Sequence, residues 1–176
     1  MNLVDVLTKN NNLVSQLSKQ FNLGQDQSQS AISILSKALA SKNKKNTSNP
    51  SGLNALLGAL QKGNHQRYIE QPHVLEREES TQEGNGILKH ILGSKDVSRR
   101  VAQKASVQTG IGESVLKKML PLIAGAAMGN LSKHSSELGI SSNSLNPQQS
   151  AGGLLSFLDG DKDGSIMDDL LGFLKQ

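Results

Sequence analysis

Residues 101–131 read VAQKASVQTGIGESVLKKMLPLIAGAAMGNL, and this stretch decides the fold. Val101, Ala102 and Ala105 recur at helical spacing, Gly110 stops that helix, and Leu116, Met119 and Leu120 start the next. Ser114 or Glu113 opens the second helix. Pro121 cannot donate to a helical ladder, so the spacing predicts a kink or a restart there, with Pro121 at the first position of the new helix. Ile123, Ala124, Ala127, Met128 and Leu131 carry the apolar face onward. Gly125, Ala126, Ala127 and Gly129 are small enough to let another helix approach closely. Met119–Ser132 is the longest charge-free apolar stretch, and with Pro121 inside it falls short of the roughly 20 residues a bilayer requires. No membrane span is expected.

The same pattern extends outward. On the N-terminal side, Ile87, Leu88, Ile91 and Leu92 make a short helix from Asn85, and Ser94 caps the helix carrying Val97 and Val101. Leu3, Val6 and Leu7 fit a helical turn within residues 2–8. Leu13, Leu17 and Phe21, with Val14, predict a helix ending near Asn22. Asp26 is the expected cap of a partner bearing Ala31, Ile32, Leu35 and Leu39. Residues 41–51 (SKNKKNTSNPS) read as a linker, and Leu53, Leu56, Leu57 and Leu60 as a short helix ending at Gly63. The hairpin of residues 13–39 echoes that of residues 101–127, with Leu23 on Ile111 and Leu35 on Ile123.

The expected fold is therefore all-α, a compact multihelical bundle of short helices. It reads as two related helical hairpins plus a C-terminal helix–acidic loop–helix. The boundaries are an N-terminal hairpin and short helix over 1–63, a flexible linker over 64–84 (polar, with few apolar anchors) and a central hairpin over 85–132. A second linker spans 133–150 and the helix–loop–helix 151–176, all within one folding domain.

Composition narrows the function. The chain has 176 residues, 35% of them hydrophobic, with one Tyr, three Phe and no Trp. Its core must come from aliphatic side chains. The absence of Cys excludes disulfides and thiolate chemistry and suits a reducing compartment, and MNLVDVLTKNNN is a poor signal peptide, so a cytoplasmic location is expected. His65, His73, His90 and His134 show no ligand spacing and are expected on the surface. No nucleophile elbow, phosphate loop or dinucleotide fingerprint is present, and Glu76, Glu78 and Glu79 fall in the polar linker, so the expectation is that the chain is not an enzyme.

A net charge of +4 leaves room for an acidic partner. Lys42, Lys44 and Lys45 form one basic cluster, and Lys95, Arg99, Arg100 and Lys104 another. Thr109-Gly110-Ile111 between two helices has the outline of a DNA-binding helix-turn-helix, but Ser106 stands where that motif usually has Ala, and Leu116 to Leu120 interrupt the polar face. The favoured role is a binding module for a protein partner, with nucleic acid as the rival. The suspected surfaces are Gly125–Gly129 and Leu53–Leu60. The sequence sets no oligomeric state.

NGILKHILGSK (85–95), the run from Val101 to Leu131 and LLSFLDGDKDGSIMDDLLGFL (154–174) together resemble the YidB-like family, bacterial proteins with a domain of unknown function. The similarity is best from about residue 84 onward. The long Gly- and Leu-rich middle of many relatives shrinks here to GLNALLGALQKG (52–63). The resemblance implies a multihelical fold and carries no catalytic residues.

One constellation carries chemistry. Asp159, Asp161 and Asp163 alternate, Gly164 allows a sharp bend, and the Ser165 carbonyl and Ile166 complete the first eight positions of an EF-hand calcium loop. The closing bidentate Glu is replaced by Leu170, leaving Asp168 and Asp169 as the nearby carboxylates. Calcium is the cofactor this set suits. The other reading is ordinary Asp-Gly turns before a helix N-terminus. If the loop binds, calcium raises the melting temperature relative to chelator and Asp161→Ala abolishes the rise; no shift at millimolar calcium removes the site.

Overall fold

The computed structural model describes residues 2–47, 50–139 and 157. Among them the chain forms eight α-helices, one 3-10 helix and no strand: α1 (Leu3–Lys9), α2 (Asn11–Phe21), α3 (Gln25–Thr47), α4 (Pro50–Lys62), α5 (Arg67–Glu70), a 3-10 turn (Pro72–Glu76), α6 (Glu78–Leu92), α7 (Lys95–Thr109) and α8 (Glu113–Glu137). The all-α fold is as the periodicity predicts.

Helix α8 is the axis of the molecule. Every residue from Met119 to Ser132 is buried, and α1, α3, α4, α5, α6 and α7 all pack on this helix. Such all-round burial explains why the segment lacks charge: a Lys or Glu anywhere on it would be stranded from water. Asn130 is tolerated because its Nδ2 donates to the Ala126 carbonyl at 3.1 Å. No helix among the described residues is long and apolar enough to cross a membrane.

Close approach of backbones sets the neighbours' positions. A Cβ at Gly84 of α6 would collide with the Pro121 carbonyl of α8, and one at Gly129 would collide with the His65 carbonyl. At Gly125 an added Cβ would lie 3.2 Å from the Tyr68 ring. The Gly125–Gly129 face, suspected from sequence as a binding surface, is thus filled from within by the segment leading into α5. Leu56 and Leu60 of α4 are likewise buried.

The two hairpins share their turns. Asn22 ends α2 in the left-handed region (φ 54°) and Gly110 ends α7 there (φ 71°). Leu23 and then Ile111 follow, each packed against the core. In the first turn Leu23 N–H reaches the Ser18 carbonyl at 2.9 Å and Asn22 N–H the Lys19 carbonyl, the paired bonds of a Schellman ending. In the second, Ser106 Oγ donates to the Ile111 carbonyl at 2.6 Å. A buried Ser18–Ser28 hydrogen bond of 2.9 Å ties α2 to α3.

Four sequence expectations need correction. First, no new helix starts at Pro121, which lies inside the single helix α8. The proline removes one ladder bond, but dense packing on all sides holds the helix together. Second, α3 begins at Gln25, so Asp26 lies in its first turn rather than at the cap, and it continues through residues 41–47 where a linker was expected. Polar composition alone does not end a helix, and Ala40 and Asn43 still face the interior. Third, residues 64–84 hold α5, the 3-10 turn and the first two turns of α6, anchored by buried Tyr68, Val74 and Leu75. Glu78 and Glu79 sit in the first turn of α6, where they suit the helix dipole. Fourth, α8 extends to Glu137, into the stretch assigned to a second linker. The C-terminal helix–loop–helix over 151–176 lies outside the described residues except for Phe157, which is buried and stacks on His134 with ring centroids 4.3 Å apart.

Two glycines of α6 separate packing from propensity. Gly84→Ala is expected to destabilise by about 1–3 kcal/mol through overpacking against the Pro121 backbone. Gly86→Ala, with nothing within 4 Å of the new Cβ, is expected to stabilise by roughly 0.5–1 kcal/mol. Urea unfolding of the two variants checks both signs.

Candidate functional site

The C-terminal turn of α6, the first turns of α7 and the start of α8 converge on one end of the bundle. Gly93, at φ 79°, ends α6, and the Ser94 hydroxyl accepts from Val97 N–H at 3.3 Å to begin α7 at once. This two-residue reversal faces two helix ends toward the exposed beginning of α8. The three elements enclose a cleft of about 690 Å3.

Its lining explains its charge. Lys89 comes from α6, Lys95 and Arg99 from one face of α7, and Lys117 from α8, with Asn85, Ser94 and Ser98 between them. Leu88 and Leu120 form the floor, and both are buried. Among the described residues no carboxylate lines the cleft. Asp96 lies 3.8 Å from Arg99, on largely exposed side chains, so that contact neutralises little. Among the described residues no carboxylate lies within ion-pair distance of Lys89, Lys95 or Lys117. Four cations thus share one concave surface. Of the cluster foreseen from sequence, Lys95 and Arg99 reach the cleft; Lys89 and Lys117 belong there too and were not foreseen.

The helix-turn-helix reading meets a geometric obstacle. The would-be recognition helix is α8, whose Leu116, Met119 and Leu120 are buried, leaving Ser114, Lys117 and Lys118 exposed at its start. From Met119 to Ser132 that helix has no free face to lay along a major groove, and only its first turns are open.

A second polar cluster joins α5 to α6. The Tyr68 hydroxyl donates to Glu83, and Arg67 donates to Glu83 Oε1 at 2.7 Å and to the Tyr68 oxygen at 3.1 Å. The Arg67 guanidinium also lies over the Tyr68 ring, 5.0 Å from its centroid. Burial pushes the Tyr68 hydroxyl up from its ordinary value, and its bond to Glu83 pushes further. Burial pushes Glu83 up as well, but the bonds from Tyr68 and Arg67 outweigh it, and the carboxyl ends below its ordinary value. The Tyr68 hydroxyl, one Arg67 terminal nitrogen and both Glu83 oxygens bond to one another, so the cluster works as a clamp holding the Tyr68 ring on Gly125. His65 beside it is buried, not on the surface as expected, with Nε2 3.3 Å from the Ala59 carbonyl.

The six acidic-loop positions Asp159, Asp161, Asp163, Ser165, Asp168 and Asp169 lie outside the described residues. Among the described residues no group of three or more His, Asp or Glu side chains converges as a metal site.

The clamp has a pH signature. Because the folded-state pKa of Glu83 is depressed, its contribution to stability is present above the unfolded carboxylate pKa and is lost as pH falls through the folded value. Melting temperatures of wild type and Glu83→Gln are therefore expected to differ most near neutrality and to converge in acid. A gap that stays constant with pH would show that Glu83 acts by packing alone.

Comparison with known proteins places the chain. No curated protein and no solved structure matches it. A family profile described as "Bacterial protein of unknown function (DUF937)" matches residues 5–134, from α1 to near the end of α8. That span covers most of the chain and holds both hairpins, the clamp and the basic cleft, in keeping with the YidB-like resemblance. The chain belongs to the DUF937 family of bacterial proteins.

Proposed function

We propose that the chain is a non-enzymatic binding module whose binding surface is the cleft between α6, α7 and α8, and that its partner is acidic. The carrying observation is the collection of Lys89, Lys95, Arg99 and Lys117 around a concavity that, among the described residues, no carboxylate lines. Like charges gathered on one surface repel, and in a chain of net charge only +4 an anionic ligand relieves that repulsion. Leu88 and Leu120 lie beneath the charges as an apolar floor, and hydrogen bonds from these cations to an anion are charge-assisted.

Binding is favoured over catalysis because the other polar cluster, Arg67–Tyr68–Glu83, has its groups bonded to one another. The calcium loop is a separate proposal, supported only by its alternating carboxylates, and a reducing, cytoplasmic setting suits a chain without Cys.

The test is retention on a sulfated-polysaccharide column. Lys89→Glu/Lys117→Glu is expected to elute at markedly lower salt than wild type. Lys9→Glu/Lys19→Glu, two exposed positions outside the cleft with the same change in net charge, is expected to elute later than the cleft variant. Equal elution of the two variants would reduce the effect to overall charge and remove the cleft as the site.

A further inference from the structure

We infer that the ligand of this cleft is a compact oligophosphate group, such as inorganic tripolyphosphate or the triphosphate tail of a nucleotide. The inference rests on the reading of the cleft as the binding surface and adds the chemistry of what it takes.

The arrangement of charge is the first argument. A basic surface for an extended nucleic acid runs as a track along the backbone. Here the cations come from three different helices and face a single space of about 690 Å3, within the range of small-ligand pockets. Lys95 and Arg99 are one helical turn apart on α7, with Lys89 and Lys117 on the flanking helices. A ligand with three or four negative charges packed into a few atoms meets all of these at once, whereas a straight duplex touches only the rim.

Among the described residues the lining holds no aromatic side chain, so these residues offer no platform on which a base would stack. The neutral polar groups are Asn85, Ser94 and Ser98, donors suited to phosphate oxygens. Arg99 offers the planar fork that grips two phosphate oxygens together, and the three lysines act as mobile point charges. Recognition therefore falls on the phosphate chain and is indifferent to a nucleoside attached to it. A single phosphate, with about −1.5 to −2 charges, leaves much of the site uncompensated.

Isothermal titration of the full chain in metal-free buffer tests this. Tripolyphosphate is expected to bind one to one, ATP to bind within a few-fold of it, and AMP at least tenfold more weakly. Lys117→Gln and Arg99→Gln are each expected to weaken tripolyphosphate binding roughly tenfold; all four cations are exposed, and circular dichroism confirms that the variants fold. If ATP binds and tripolyphosphate does not, the nucleoside is being read and the inference falls. It falls also if AMP matches tripolyphosphate, or if the two variants bind as well as wild type. Absence of tripolyphosphate binding alongside cleft-dependent retention on the polysaccharide column overturns the oligophosphate but leaves the acidic-partner reading standing. Absence of both removes both.

Discussion

Everything in this fold is arranged around a helix that other backbones touch directly. Between Met119 and Ser132, α8 has no solvent face, and at Pro121 and Gly129 its neighbours come in as main chain rather than as side chains. Contact at that range leaves no room for a methyl group, so shape rather than hydrophobic area fixes the arrangement. A core this poor in aromatics gains little from large rings. It compensates by bringing helices nearer, which raises the number of dispersion contacts that small residues make.

That constraint also explains how much of the fold was legible. The hairpin turns could be read because the signals are local: Leu23 after Asn22, and Ile111 after Gly110, mark both reversals. Residues 64–84 could not, since Tyr68, Val74 and Leu75 show no period and lie among charges. The space the Tyr68 ring occupies is left by Gly125, more than fifty positions later. Pro121 misled for the same reason. A proline rule describes an isolated ladder, and here the surroundings hold the helix through the break.

Legibility of the site divides along the same line. Lys95 and Arg99 are one helical turn apart, and their sequence spacing already places them together. Lys89 and Lys117 join them only because Gly93 and Ser94 reverse the chain within two residues and α8 begins beside that reversal. Convergence of charge across three helices is a tertiary property that no window of sequence contains. The acidic loop is the opposite case, a local pattern whose alternating carboxylates are visible in the spacing alone.

Tyr68 has a use beyond its packing. The chain contains one Tyr and no Trp, and that Tyr is wholly enclosed, with its ring on Gly125 and its hydroxyl on Glu83. The near-ultraviolet spectrum of the native protein is therefore dominated by a single chromophore at the contact between α5, α6 and α8. The molecule carries a built-in optical probe of its own central joint, readable without any label.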